Sequence, residues 1–199
     1  MNPWYVALAV VAAYLLGSID FAVLVSRMKG VDILAEGSGN PGTANVARTL
    51  GRGPAAMVLA GDVIKGVLAA SMGTVAAGPG APVDWLAALT GLVAVVGHCF
   101  PVWHRFRGGK GVATYEGMIL WLNPLVGLIV AVVYLLIVLI AKVSSIASLS
   151  LVVLAVPLLW WQGWEVGGLG LVGLAALLVI VRHRSNIRSL LQGEERKMV

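Results

Sequence analysis

The chain has 199 residues, 59% of them hydrophobic and 12% charged, with a mean hydropathy of +0.94. A soluble domain carries about twice that charge fraction, and no polar stretch is long enough to bury a core of its own, so residues 1–199 read as one membrane-embedded unit. A pI near 9.7 would suggest nucleic acid as the partner of a soluble chain; here the basic residues follow from membrane topology, and nucleic acid is not an expected partner.

The first apolar run extends from about Pro3 to Val25 with no Lys or Arg before it. It is too long for the core of a signal peptide and right for a spanning helix, which needs roughly 20 residues. Further apolar runs lie at about 55–72, 83–103, 112–141, 146–162 and 166–181. Apart from Lys65, the basic residues form four clusters: Arg27 to Arg52, Arg105 to Lys110, Lys142 alone, and Arg182 to Lys197. The connections at 73–82 and 162–165 contain no Lys or Arg. Cytoplasmic loops collect these residues, so an even number of crossings should separate one cluster from the next. The run at 112–141 must then cross twice and turn at Asn123-Pro124, where proline removes a backbone donor and disfavours helix in the residue before it. The expectation is an all-α integral membrane protein of seven transmembrane helices, N-terminus outside and C-terminus cytoplasmic. Segment 112–122 is short for a span and is tilted or incompletely crossing. Trp4, Trp103, Trp160, Trp161 and Trp164 sit near run ends, as interface anchors do.

Four polar patches then fall on one face of the membrane. They read "GSGNPGTANVARTLGRG" at 37–53, "FRGGKGVAT" at 106–114, "KVSSIAS" at 142–148 and "RHRSNIR" at 182–188. Glycines in the second let backbone N–H groups approach a ligand, Lys110 adds a point charge, and the helix restarting after Gly111 favours an anion at its N-terminus. The combined supply of Ser, Asn, Thr, His, Arg and Lys suits phosphate, and is enough for two phosphates. Basic cytoplasmic loops are common in membrane proteins, so the arginines at 105–107 and 182–184 are read mainly as topology signals. "GGKGVAT" is not a Walker loop, lacking the first glycine and the Ser or Thr after lysine. His98 reads equally as a satisfied interfacial histidine or as part of the site. It is not a metal ligand with Cys99, since adjacent residues project apart, and no metal or cofactor is expected. Asp62 and Lys65 at i, i+3 read as a structural pair; Asp20 and Glu116 have no evident partners.

Several catalytic devices are missing. No HxxxxD pair and no GxSxG turn occurs, no carboxylate cluster suggests a metal phosphotransferase, and the loops offer no carboxylate–histidine pair. A site rich in phosphate binders and poor in bases suits a substrate that arrives already activated. The alternative is an anion or lipid-phosphate transporter, since glycine loops and broken helices also build transport sites; polar loops confined to one face and the lack of a strong inverted repeat count against it.

The motifs "YLLGSIDF", "GSGNPGTANVARTLG", "DVIKG", "GHCFPVWHRFRGGKGVAT" and "VRHRSNI", in this order from about Tyr14 to Ile187, closely resemble the bacterial acyl-phosphate-dependent glycerol-3-phosphate acyltransferases, the PlsY family. The resemblance implies a seven-helix fold in the bacterial cytoplasmic (inner) membrane with its active site on the cytoplasmic face. It implies transfer of an acyl chain from acyl phosphate to the 1-hydroxyl of glycerol 3-phosphate, giving lysophosphatidate and phosphate for phospholipid synthesis. By position it implies that Ser38, Arg48, Lys110 and Ser145 bind phosphate groups and that His183 and Asn186 help hold glycerol 3-phosphate. The expected catalytic set is Lys110, Arg48 and Ser38. The expected substrate-binding set adds Asn40, Thr43, Asn45, His98, Gly108, Gly109, Gly111, Ser145, His183 and Asn186. Two departures stand out. The family's "PGATN" is "PGTAN" here, so Thr43 and Ala44 look exchanged, and Tyr115-Glu116 replace small apolar residues. With no base in the loops, acyl phosphate itself is the expected proton acceptor, since phosphate monoesters have a pKa near 6.

Overall fold

In the computed structural model, residues 2–78 and 84–197 are described, and among them regular structure is helical: α1 Pro3–Gly17, α2 Phe21–Met28, α3 Thr43–Leu50, α4 Arg52–Ala77, α5 Asp84–Cys99, α6 Val112–Leu122, α7 Pro124–Ala141, α8 Ser144–Trp161, α9 Val166–Arg182 and α10 Arg184–Leu191. A 3₁₀ turn at Val102–His104 follows α5. Among the described residues, five helical segments have the length and apolarity to cross a membrane: 3–28, 52–77, 85–104, 124–141 and 144–161. The α9–α10 pair, bent by 57°, makes a sixth. Part of the expected connection between the second and third apolar runs, residues 79–83, lies outside the described residues.

The expected break at Asn123-Pro124 is present, and its chemistry is visible. The Asn123 side chain accepts a hydrogen bond from Val126 N (3.1 Å), capping α7, while Pro124 occupies the first turn, where its missing N–H costs nothing. The 11-residue α6 is about 16 Å long, roughly half the hydrocarbon thickness.

Two expectations are corrected. The first apolar run keeps the expected span, now 3–28, but as two helices, α1 and α2, separated at Ser18–Asp20. Asp20 caps α2 by accepting from Val23 N (3.1 Å), and Lys65 of α4 donates to the carbonyl of Ile19 (2.7 Å) that the break leaves without a helical partner. Hydropathy cannot show this, because the supporting group comes from another helix. The 37–53 segment is not wholly loop either: residues 43–50 form α3, packed through Val46 against Ala22, Val23, Val25, Ile33, Ala55 and Val58.

The main core joins α4 through α9, with Tyr115, Met118 and Ile119 of α6 fully buried among Val95, Val126, Leu151, Leu159 and Val179. α4 and α6 touch backbone to backbone. A methyl group at Gly66 would strike the Thr114 carbonyl, and one at Gly117 would strike that of Val63, so small residues set this crossing. Leu135, Leu136, Leu139 and Ile140 of α7 face outward, as expected of a lipid-facing surface.

Asp62 and Lys65 form the expected ion pair, 2.7 Å apart and essentially unexposed. Asp62 has a second neighbour in His98 Nδ1 at 3.4 Å. A carboxylate–histidine pair therefore exists after all, behind the polar loops rather than within them. The sequence separates the two residues by a helix and a connection, which is why the reading of the loops missed it.

Candidate active site

The segment Gly108–Gly111 ends the connection from α5 and leads into α6. Its two leading glycines do not present their N–H groups to a ligand, contrary to expectation: Gly108 N donates to Cys99 O (3.2 Å) and Gly109 N to His98 O (3.1 Å). Glycine is required here by contact. A Cβ at Gly108 would collide with the His98 carbonyl, and one at Gly109 with the His98 ring and the Pro41 carbonyl. Gly111 serves a different need, since its φ of +88° is left-handed backbone that starts α6. The carbonyls of Gly108 and Gly109 are taken by Arg182, through Nη2 (2.8 Å) and Nε (3.1 Å) respectively.

Held in this way, the loop directs Lys110 to Asn186, whose Oδ1 accepts from Nζ. Asn186 Nδ2 donates in turn to Glu195 Oε1 (2.6 Å). The tail reaches back because Gly193, at φ +71°, reverses the chain after α10 and Glu194 N donates to Ser189 O (2.8 Å). Burial pushes Lys110 down to about 8; Glu195 opposes that effect, and the positive charges of Arg48 and Arg182 add to it. Burial likewise holds Arg48 below its usual range, with Arg196 adding to this and Glu195 opposing it. Arg48 stays charged at neutral pH. Lys110, Arg48 and Arg182 thus share one electrostatic neighbourhood, which includes the carboxylate of Glu195.

His183 is buried, and its Nδ1 lies 2.8 Å from the Val179 carbonyl. A carbonyl can only accept, so Nδ1 carries the proton and Nε2 of the neutral ring is an acceptor. Ser145, the second residue of α8, is 3% exposed, and among the described residues its hydroxyl has no hydrogen-bond partner. It stands at a helix N-terminus, where anions are favoured.

The 34–45 segment forms the other wall. Ser38, Gly39, Asn40 and Pro41 line a cavity of about 450 Å³ together with Leu34, Phe106, Arg107, Gly108 and Arg182. Asn45 does not face this cavity. Its side chain accepts from Ser38 N (3.0 Å) and donates to Glu36 O (3.0 Å) and Ile33 O (3.3 Å), stapling the loop that presents Ser38. Thr43 is the first residue of α3 and half-buried. His98 sits behind the loop rather than in front of it, with Nδ1 toward Asp62 and the Thr114 hydroxyl (3.3 Å) and the ring against Gly109.

Of the expected residues, the structure brings Lys110 and Asn186 into contact and places Arg48 in their electrostatic field. It puts Ser38, Asn40 and Gly108 on a common cavity, and it assigns Asn45 and His98 hydrogen bonds that shape the loops. Sequence reasoning missed Arg182 and Glu195. Arg182 was hidden in a basic cluster that topology already explained, and Glu195 meets Asn186 only through the turn at Gly193. Glu116 is buried, and among the described residues neither of its carboxylate oxygens has a hydrogen-bond partner.

A family model described as glycerol-3-phosphate acyltransferase matches residues 7–193. A glycerol-3-phosphate acyltransferase of Rubrobacter xylanophilus is 42% identical over 194 residues, covering 96% of this chain and 94% of its own length. One of Thioalkalivibrio sulfidiphilus is 44% identical over 190 residues, covering 95% and 92%. Two crystal structures of PlsY, an integral membrane glycerol 3-phosphate acyltransferase, superimpose on the chain. The glycerol 3-phosphate form does so with a TM-score of 0.91 at 38% identity, covering 98% of this chain and 96% of that one. The lysophosphatidic acid form gives 0.89 at 38% identity, covering 96% and 94%. Matching along nearly its whole length in sequence and in fold, the chain belongs to the glycerol-3-phosphate acyltransferase family.

Proposed function

We propose that this chain transfers an acyl group from acyl phosphate to the 1-hydroxyl of glycerol 3-phosphate, releasing lysophosphatidate and inorganic phosphate. The observation that carries the reading is the basic cluster of Lys110, Arg48 and Arg182, built beside the Ser38–Asn40 cavity at the end of an apolar helix bundle. Relatives that act on glycerol 3-phosphate, and a related structure in a lysophosphatidic acid form, supply the substrate and the product. An acyl phosphate donor fits a site whose cations can take up the charge of a departing phosphate.

On this reading the chain is one membrane-embedded unit over residues 1–199. It crosses the bacterial cytoplasmic membrane seven times, with α6 as the shortest crossing, the N-terminus outside, and the site and C-terminus on the cytoplasmic face. The acyl tail lies between helices or in the bilayer. Lys110, Arg48 and Ser38 act on the phosphate groups, with Ser145 supplying a further hydroxyl. Gly108, Gly109 and Gly111 shape the loop that carries Lys110. Asn40 and Thr43 line the approach. His183 Nε2 accepts from a glycerol hydroxyl while Asn186 orients Lys110. Holding both substrates in register supplies much of the acceleration. As the glycerol oxygen attacks the acyl carbonyl, the bond from that carbonyl to the phosphate oxygen breaks. The alcohol's proton passes to the departing phosphate, which is a competent acceptor. The test is incubation of the purified protein with labelled glycerol 3-phosphate and either acyl phosphate or acyl-CoA. Ester formation from acyl phosphate alone is expected; efficient use of acyl-CoA would overturn the donor assignment, and no ester from either would overturn the activity.

A further inference from the structure

We propose that Arg182 is a positioning residue for the transfer reaction: its guanidinium clamps the carbonyls of Gly108 and Gly109 and thereby fixes the loop that carries Lys110. The inference rests on the proposed role of Lys110 and adds a residue that acts through it.

The geometry is specific. Arg182 is the last residue of α9, and its Nε and Nη2 reach two successive carbonyls at 3.1 and 2.8 Å. One planar fork on two adjacent acceptors restricts rotation of the intervening peptide as well as its distance. The N–H groups of the same two glycines are already bonded to Cys99 O and His98 O. All four backbone polar groups of Gly108 and Gly109 are therefore used inside the protein, two by α5 and two by Arg182. A loop fastened from both sides delivers the next side chain, Lys110, to Asn186 with little freedom. The guanidinium is itself held in place, stacked over the Phe100 ring with its central carbon 5.3 Å from the centroid.

A carbonyl carries no net charge, so the clamp itself does not neutralise the cation of Arg182. It faces the Ser38–Asn40 cavity, which it lines with Arg107, and it bears on Lys110. Among the described residues, the charged groups bearing on Lys110 are Arg182 from α9, Arg48 from α3 and Glu195 from the tail, with His183 alongside. Arg182 thus does two separable things: it fixes the loop by its fork and lowers the proton affinity of Lys110 by its charge. Lysine in its place keeps the charge and loses the fork; glutamine loses the charge.

The experiment is a pH–rate profile of acyl transfer for full-length, detergent-purified wild type, Arg182→Lys and Arg182→Gln, with Arg188→Gln, an exposed arginine on α10, as control. Wild-type transfer in the same assay tests the underlying activity, so its absence would overturn that reading and not this one. With wild type active, kcat/KM is expected to fall at least tenfold in Arg182→Lys with the alkaline limb unmoved. In Arg182→Gln the same loss is expected, with the limb displaced to higher pH. Full activity in Arg182→Lys would show that the fork is dispensable and overturn the proposal. So would an unmoved limb in Arg182→Gln, or loss of monodispersity in both variants, which would mark the residue as structural only.

Discussion

Raising the pH above neutrality should switch off Lys110 before any other group in the site. A free lysine titrates at 10.5, and burial lowers this one to about 8. The difference amounts to about 3 kcal/mol, disfavouring the charged form in the folded, empty enzyme. The sign follows directly. Below pH 8 Lys110 is protonated and able to bind phosphate; above it the native state holds neutral lysine, and each further pH unit removes about nine-tenths of the competent population. Going from pH 7 to pH 9 should therefore lower kcat/KM for glycerol 3-phosphate about tenfold, through KM first, because a bound dianion restores the proton affinity that burial removed. Lys110→Arg carries a guanidinium that does not deprotonate in this range, so its activity, though reduced by altered geometry, should be flat to pH 9.5. The assay is the initial rate of ester formation between pH 6.5 and 9.5 in one ionic-strength-matched buffer series. A wild-type profile flat to pH 9.5, or an alkaline limb that survives in Lys110→Arg, would refute the assignment of this limb to Lys110.

The other expectations concern the supports of the site and its orientation. Lys65→Met strips the partner from a buried Asp62 and should destabilise the protein by about 3–5 kcal/mol, read as a lowered unfolding midpoint in detergent. Removing both charges with Asp62→Leu and Lys65→Met should restore most of that loss, and a double variant no better than the single would refute the pairing. Glu195→Gln removes the carboxylate that supports the Lys110 proton, so the alkaline limb should move to lower pH; displacement the other way would contradict the field drawn here. A cysteine at Gly78 in a Cys99→Ala background should react with an impermeant thiol reagent applied outside, and one at Gly51 should not, with the reverse pattern overturning the proposed orientation.

What the sequence disclosed was whatever a single segment encodes locally. Pro124 marks a helix boundary by its own covalent structure, and Asp62 with Lys65 announces a pair by spacing alone. Legibility stopped where a group's meaning depends on a distant element. The break at Ser18–Asp20 lies in an unbroken apolar run and is supported by Lys65 from α4. Helix α3 is hidden by a glycine- and asparagine-rich stretch that reads as loop, and only packing of Val46 makes it pay. Gly108 and Gly109 looked like ligand-facing amides because the carbonyls that take their N–H groups belong to α5. Arg182 looked like a topology marker because nothing local distinguishes it from Arg184.

The most direct test of the account joins the reaction to the site. Ester formation and phosphate release are measured together from acyl phosphate and glycerol 3-phosphate, for wild type, Lys110→Ala and Arg48→Ala at pH 7. One phosphate should be released per ester formed by wild type, and each variant should lose about 2–4 kcal/mol of transition-state stabilisation in kcat/KM while remaining monodisperse. Undiminished transfer in folded Lys110→Ala would contradict the claim that this basic cluster is where the acyl group moves.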